Sequence, residues 1–271
     1  MDTHPQFTAR LRAAVADAEA PLCVGLDPDP RRMPSPLADR GPSGLSAFCN
    51  AITASTSQVA AAYKPNLAFF EAAGADGWRA LHDVCAAVRD TGRLLILDGK
   101  RGDIGNTGRQ YATALYEHLG GDAATVAPYM GTDSVAPFLE HAGRCAYVLV
   151  ATSNPGAADL QHLPVGEQAL YQRAAQLAVD VAADQPGEAG FVVGATRPEI
   201  LASLRSTHPD VPFLVPGVGA QGGSAADVLD ANAGGPILVS ASRSILYASA
   251  GADYAEAAAE AATRLARDLS P

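Results

Sequence analysis

A chain of 271 residues, 48% of them apolar, can bury one large hydrophobic core and is not a disordered polymer. Its net charge of −10, with no run of Lys or Arg, argues against nucleic acid or an anionic membrane surface as a partner, although an anionic small molecule can still bind where a few cations gather. No apolar run approaches the roughly 20 residues of a membrane helix, and MDTHPQFTARLRAAV lacks the basic and apolar regions of a secretory signal, so a cytoplasmic location is expected.

Strand-like apolar runs follow one another along the chain: LCVGLD, YKPNLAFF, RLLILDGK, ATVAPYM, AYVLVATS, GFVVGAT, PFLVPGV and PILVSASR. Between them lie Ala-rich segments with helical spacing, among them GWRALHDVCAAVRD, EQALYQRAAQLAVDVAAD and SAADVLDANA. Strand and helix alternating in this way predict a parallel sheet, and eight such units close a (β/α)8 barrel; no G-x-G-x-x-G follows the first strand, as an open dinucleotide-binding sheet would require. The expected fold is therefore an α/β protein, a single (β/α)8 TIM barrel spanning residues 1–271 with an extra N-terminal helix. DPDPRRMPSPLADRGPSG reads as a long irregular surface loop, DYAEAAAEAATRLARDL as an amphipathic packing helix, and Trp78 as a core residue. Cys23, Cys49, Cys85 and Cys145 form no C-x-x-C pair and are expected to be buried free thiols.

In such a barrel the chemistry sits at the C-terminal ends of the strands, so polar residues that end apolar runs are informative. Asp27 ends the first run, Lys64 lies in the second, Asp98 and Lys100 end the third, Ser153 the fifth and Arg243 the eighth. Strand alternation places Leu94, Ile96, Asp98 and Lys100 on one face, and if that face is the barrel interior the two charges share its mouth. Charges at the end of a buried strand are tolerable only when they neutralise one another, and Lys64, Asp98, Lys100 and Asp103 supply two of each sign. A second group comprises PGVGAQGG after the seventh strand and SASRS after the eighth, where barrels often bind phosphate through glycine-rich backbone, here with Gln221 and Arg243 as side-chain donors. The six histidines show no metal-ligand spacing and are expected on the surface or in packing contacts.

D-G-K-R-G-D-I-G-N-T at residues 98–107, together with VGLD, YKPN, TSNPG, PGVGAQGG and the terminal SR, resembles the orotidine 5′-phosphate decarboxylase family, specifically its longer bacterial branch. The resemblance runs from Asp27 to Arg243. It implies a cofactor-free, metal-free decarboxylation of orotidine 5′-monophosphate to uridine 5′-monophosphate, the last step of de novo pyrimidine nucleotide synthesis. Lys100 would protonate the carbon that loses carbon dioxide, Asp98 would stand beside the departing carboxylate, and Lys64 would link Asp98 to the ribose. Asp27 would bind a ribose hydroxyl, Ser153 the pyrimidine, and Gln221 and Arg243 the phosphate, with Pro216 lining the site. Asp103, Ile104 and Thr107 would enter the site of the second subunit of a homodimer. Two alternatives are a magnesium-dependent sugar-phosphate lyase on a related barrel and a non-catalytic phosphate-binding barrel.

Overall fold

A computed structural model of the chain describes residues 6–219 and 222–270. The strands in chain order are β1 (Leu22–Leu26), β2 (Ala62–Pro65), β3 (Leu94–Arg101), β4 (Ala123–Val126), β5 (Cys145–Ala151), β6 (Pro164–Val165), β7 (Gln168–Ala169), β8 (Glu188–Val193), β9 (Phe213–Pro216) and β10 (Ile237–Ala241). All but β6 and β7 join into one closed barrel in the order β1-β10-β9-β8-β5-β4-β3-β2, every pair parallel; β6 and β7 form a separate antiparallel hairpin in the connection after β5. The expected closed barrel is present, although the second apolar run divides: its strand stops at Pro65, and Asn66 caps a short helix, Leu67–Glu71, by accepting from the amide of Ala68.

Alternation along the strands sorts the core into two layers. Cys23, Ala62, Leu94, Ile96, Tyr147 and Leu214 belong to the inner cluster, whereas Val24, Tyr63, Leu95, Leu97 and Val215 pack outward against the helices. Helix Phe7–Ala18 contributes Phe7 and Leu11, both fully buried, to the inner cluster, so it plugs the N-terminal end of the barrel. The Phe7 ring meets Tyr147 edge-on at 5.8 Å, and Thr8 donates to Glu188 at the start of β8.

The outer helices follow the apolar spacing of their sequences. Helix Tyr254–Leu269 buries Ala258, Ala262, Ala266 and Leu269, one apolar stripe of three alanines ending in a leucine, as its amphipathic pattern predicts. Helix Gly74–Asp90 buries Gly77, Ala80, Leu81, Val84, Cys85 and Val88; Trp78 lies beside this stripe and is 37% exposed, so the expectation of a core tryptophan is wrong. The Pro-rich segment is also more ordered than a plain loop. It contains a short helix, Ser35–Ala38, and then enters helix Pro42–Thr56 with proline in its first turn, where the missing N–H carries no penalty. All four cysteines are buried free thiols. No helix among the described residues is long and apolar enough to cross a membrane.

The plugging role of the N-terminal helix leads to a stability prediction. Phe7→Ala should lower unfolding free energy by about 3–5 kcal/mol, as for other fully buried aromatic truncations, and leave the strand ends at the opposite mouth undisturbed. Urea denaturation together with activity per folded molecule checks both parts; a loss below about 1 kcal/mol would mean that the helix does not seal the core.

Candidate active site

At the C-terminal mouth of the barrel, Asp27, Lys64, Asp98 and Lys100 line a cavity of about 300 Å³. Ser153, Pro216 and Arg243 line the same cavity, so residues distant in sequence are gathered as strand ends in one place. Asp103, Ile104 and Thr107 do not line it. They lie just beyond β3, in the loop and first turn of helix Gly105–Thr113, where Asp103 accepts a hydrogen bond from the amide of Ile104 and makes no ion pair among the described residues. The expected four-charge network is thus three charges within this chain. Gln221 lies outside the described residues.

The centre of the cavity is one carboxylate held by two ammonium groups. Lys64 Nζ donates to Asp98 Oδ2 at 2.6 Å and Lys100 Nζ donates to Asp98 Oδ1 at 2.6 Å. Lys64 and Asp98 are buried, whereas the Lys100 side chain is 51% exposed, so the network meets solvent on the Lys100 side. Simple alternation does not explain how Lys100 reaches Asp98. The β3–β4 register pairs Leu97 with Ala124 and then Arg101 with Val126, so Asp98, Gly99 and Lys100 bulge opposite Thr125 alone. Lys100 adopts φ +46°, a left-handed backbone that a side-chain-bearing residue holds only at a cost of about 1–3 kcal/mol. Thr125 Oγ1 accepts from the Lys100 amide at 2.9 Å and donates to Asp98 Oδ1 at 2.9 Å, filling the bulge with two hydrogen bonds.

Burial opposes ionisation of Asp98, but the adjacent Lys64 and Lys100 charges and their hydrogen bonds outweigh it and hold the carboxyl well below the usual range. Burial likewise acts to deprotonate Lys64, and Asp98 and Asp27 reverse this, leaving its ammonium more strongly protonated than an ordinary lysine. Both groups are therefore charged at neutral pH. Asp27 also offers an unused acceptor: its Oδ1 is buried without a hydrogen-bond partner among the described residues, an arrangement suited to a ligand hydroxyl.

The opposite wall is built from close backbone approaches. Gly194 follows β8 where a Cβ would stand 2.9 Å from the Ser153 backbone nitrogen, so glycine there gives the Ser153 turn its room. Gln161 clamps the preceding residue, accepting from the Thr152 amide and donating to the Thr152 hydroxyl, both at 2.8 Å. On the glycine-rich side, Gly217, Gly219 and Gly222 all have positive φ, and Ser224 caps helix Ala225–Asn232 by accepting from the Asp227 amide. Tyr247, just past the short helix Arg243–Leu246, donates to the Asp27 carbonyl and accepts from the Asp29 amide, each at 2.6 Å, tying the arginine-bearing loop to the end of β1.

A larger cleft of about 1000 Å³ lies at the N-terminal end of the barrel and is rich in arginine. Its guanidinium groups are already engaged: Arg10 and Arg144 with Asp122, Arg93 with Asp17, and Arg89 with the Leu119 carbonyl. The smaller mouth cavity is the one with chemical potential. Thr125 ends no apolar run but lies inside β4, so the strand-end signal does not reach it. Its parity with inward-facing Ala123 was the available signal. Gln161 gave no signal, since the loop that brings it to Thr152 has no periodicity.

The pair energetics give a second prediction. Asp98→Asn strands the buried Lys64 ammonium and should cost about 3–5 kcal/mol at neutral pH. Because the native Asp98 pKa is depressed, its contribution is present above the ordinary value of 3.8 and fades as pH falls from there through the depressed native value. Denaturation curves of both proteins at a series of pH values check this; a gap that stays constant far below pH 3.8 would contradict the assignment.

The family model described as orotidine 5′-phosphate decarboxylase / HUMPS family matches residues 20–261. The chain is 46% identical over 263 residues to the orotidine 5′-phosphate decarboxylase of Roseiflexus castenholzii, covering 96% of this chain and 95% of that protein. It is likewise 46% identical over 268 residues to the enzyme of that name from an Azoarcus species, covering 97% of each. Among solved structures, the OMP decarboxylase of Leishmania donovani superposes with a TM-score of 0.83 at 37% identity, covering 97% of both chains. With a match of this extent and a closed barrel carrying the charge network at its mouth, the chain belongs to the orotidine 5′-phosphate decarboxylase / HUMPS family.

Proposed function

We propose that the protein decarboxylates orotidine 5′-monophosphate to uridine 5′-monophosphate and carbon dioxide, the final step of de novo pyrimidine nucleotide synthesis. The observation that carries this reading is the Asp98 carboxylate bound at 2.6 Å by both Lys64 and Lys100 in a cavity shared with Arg243. The bond from the pyrimidine ring to its carboxylate breaks, its electron pair stays on the ring carbon, and Lys100 delivers a proton there, to be reprotonated from solvent on its exposed side. Asp98 stands against the substrate carboxylate and fixes the Lys100 ammonium where negative charge develops, a preorganised electrostatic effect. Lys64 joins Asp98 to the ribose, Asp27 offers its unpartnered oxygen to a ribose hydroxyl, Ser153 bonds the pyrimidine beside Pro216, and Arg243 holds the phosphate, a task that the family resemblance assigns to Gln221 as well.

Enzymes commonly lower barriers by about 8–23 kcal/mol, and slow reference reactions demand the upper end. One ion pair cannot supply that, so binding energy from the remote phosphate must be used to organise the reacting end. The magnesium-lyase reading is disfavoured by the donor set: both oxygens of Asp98 are occupied by ammonium groups, and Lys64 stands as a cation at the position where such a lyase needs a ligand. A phosphate-binding barrel without catalysis would use Arg243 but leave Lys100, held in a strained backbone conformation, without a purpose.

We further infer a homodimer with shared active sites. Ile104, Tyr129 and Met130 are 53%, 82% and 50% exposed on the neighbouring loops after β3 and β4, an apolar patch that a second copy would cover. In that arrangement Asp103, Ile104 and Thr107 of one subunit complete the site of the other, and Asp103 supplies the fourth charge of the network.

The ultraviolet change on adding orotidine 5′-monophosphate should appear equally with and without a chelator; activity lost on chelation would favour the lyase. Lys100→Ala should reduce turnover at least about a thousandfold in a protein with wild-type circular dichroism, given that general-acid catalysis alone supplies about 10²–10⁴-fold and the fixed positive charge is removed as well. Mixing Lys100→Ala with Asp103→Ala protein under subunit exchange should restore part of the activity, because one hybrid site is intact. Demonstrated exchange without recovery would rule out shared sites.

A further inference from the structure

We propose that Thr125 is a positioning residue for the decarboxylation: its hydroxyl sets the conformation of Lys100 and, through Asp98, the place of the Lys100 ammonium. This rests on the functional reading given above.

Thr125 is 2% exposed and does not line the mouth cavity, so any effect it has on the chemistry is routed through Lys100 and Asp98. It is the single β4 residue opposite the three-residue bulge that carries Asp98, Gly99 and Lys100. The direction of its two hydrogen bonds is fixed by chemistry. An amide N–H can only donate, so the hydroxyl accepts from Lys100; an ionised carboxylate can only accept, so the hydroxyl proton points to Asp98 Oδ1. The same Oδ1 accepts from Lys100 Nζ. A ring is thereby closed from the Lys100 amide through Thr125 and Asp98 to the Lys100 ammonium, constraining the lysine at both its backbone and its tip.

The need for such a constraint comes from the backbone. Lys100 has φ +46°, which residues with a Cβ adopt only when their surroundings hold them there. Within β3 the ordinary ladder to β4 lapses between Leu97 and Arg101, so the Thr125 hydroxyl takes the place of the missing ladder partner for the Lys100 amide. Without it the amide would be unpaired beside a carboxylate that has lost one donor, and the bulge would be free to relax toward a regular strand. Relaxation would swing the ammonium away from the position that Asp98 defines.

The test uses three substitutions with kcat, KM and uridine 5′-monophosphate affinity measured separately. Thr125→Val keeps the volume, β-branching and strand preference and removes only the hydroxyl. It should lower kcat about ten- to a hundredfold, the range expected when a reacting group is misplaced by about an ångström, while KM and product affinity stay within about twofold. Thr125→Ser, which keeps the hydroxyl and loses the methyl, should recover kcat to within about threefold of wild type. Melting curves establish that each variant is folded. If Thr125→Val fails to fold, Thr125→Cys, nearly isosteric and a poor hydrogen-bonder, takes its place with the same expectation. Thr125→Val at wild-type kcat would overturn the proposal, as would Thr125→Ser falling as far as Thr125→Val, because packing and not the hydroxyl would then be responsible. Wild type and Lys100→Ala run in the same assay separate this from the functional reading. A wild type that does not turn over the substrate overturns both, whereas an active wild type, a dead Lys100→Ala and a fully active Thr125→Val overturn only the role of Thr125.

Discussion

One carboxylate sharing its two oxygens between two ammonium groups is the constraint around which this barrel mouth is arranged. Asp98 is buried, and a buried carboxylate is stable as an anion only if the energy lost from hydration is returned by nearby positive charge and hydrogen bonds. Lys64 supplies that charge from the adjacent strand, is itself buried, and needs Asp98 for the same reason. Each therefore fixes the other, and neither can be removed alone without leaving a charge in a low-dielectric place. Lys100 differs: half exposed, it is the member of the network that can reach a ligand and recover a proton from water.

The barrel supplies rigidity that a loop could not. Closure of the eight strands fixes the spacing between Lys64 on β2, Asp98 on β3 and Thr125 on β4, and the inner cluster sealed by Phe7 and Leu11 supports them from below. At the rim the regular ladder gives way: β3 bulges, Lys100 turns left-handed, and Asp27 keeps an unpartnered oxygen. These departures from regular structure coincide with the proposed chemistry, and the local strain at Lys100 is balanced by a well-packed scaffold. Tyr247 extends the same logic outward by joining the loop of Arg243 to the end of β1, so that Arg243 and Asp27, the proposed phosphate and ribose contacts, share a hydrogen-bonded frame.

Much of this was legible in the residues. Apolar runs separated by helical spacing gave a barrel of eight strands, and the polar residues at their ends identified Asp27, Lys64, Asp98, Lys100, Ser153 and Arg243, all of which line one cavity. What was not legible depended on tertiary geometry. Alternation placed Lys100 beside Asp98 for a regular strand, whereas the contact is made through a bulge whose existence depends on the register with β4. Strand-end polarity alone predicts that Asp103 completes the network, but within one chain it does not line the cavity and instead accepts from the Ile104 amide. Trp78 stays outside the core because smaller residues fill the buried face of its helix, and composition alone does not reveal that two prolines of the Pro-rich segment sit in the first turns of helices, where proline is favoured.

The central claim is that the Lys100 ammonium, fixed by Asp98, stands where negative charge develops on the pyrimidine. The most direct measurement compares the binding of uridine 5′-monophosphate with that of an analogue bearing an anionic oxygen on the carbon that loses carbon dioxide. The account predicts that the anionic analogue binds at least about a hundredfold more tightly, as expected of a transition-state mimic, and that this preference disappears in Lys100→Ala. Equal affinity of the two nucleotides for the wild-type protein, or a preference that survives removal of Lys100, would contradict it.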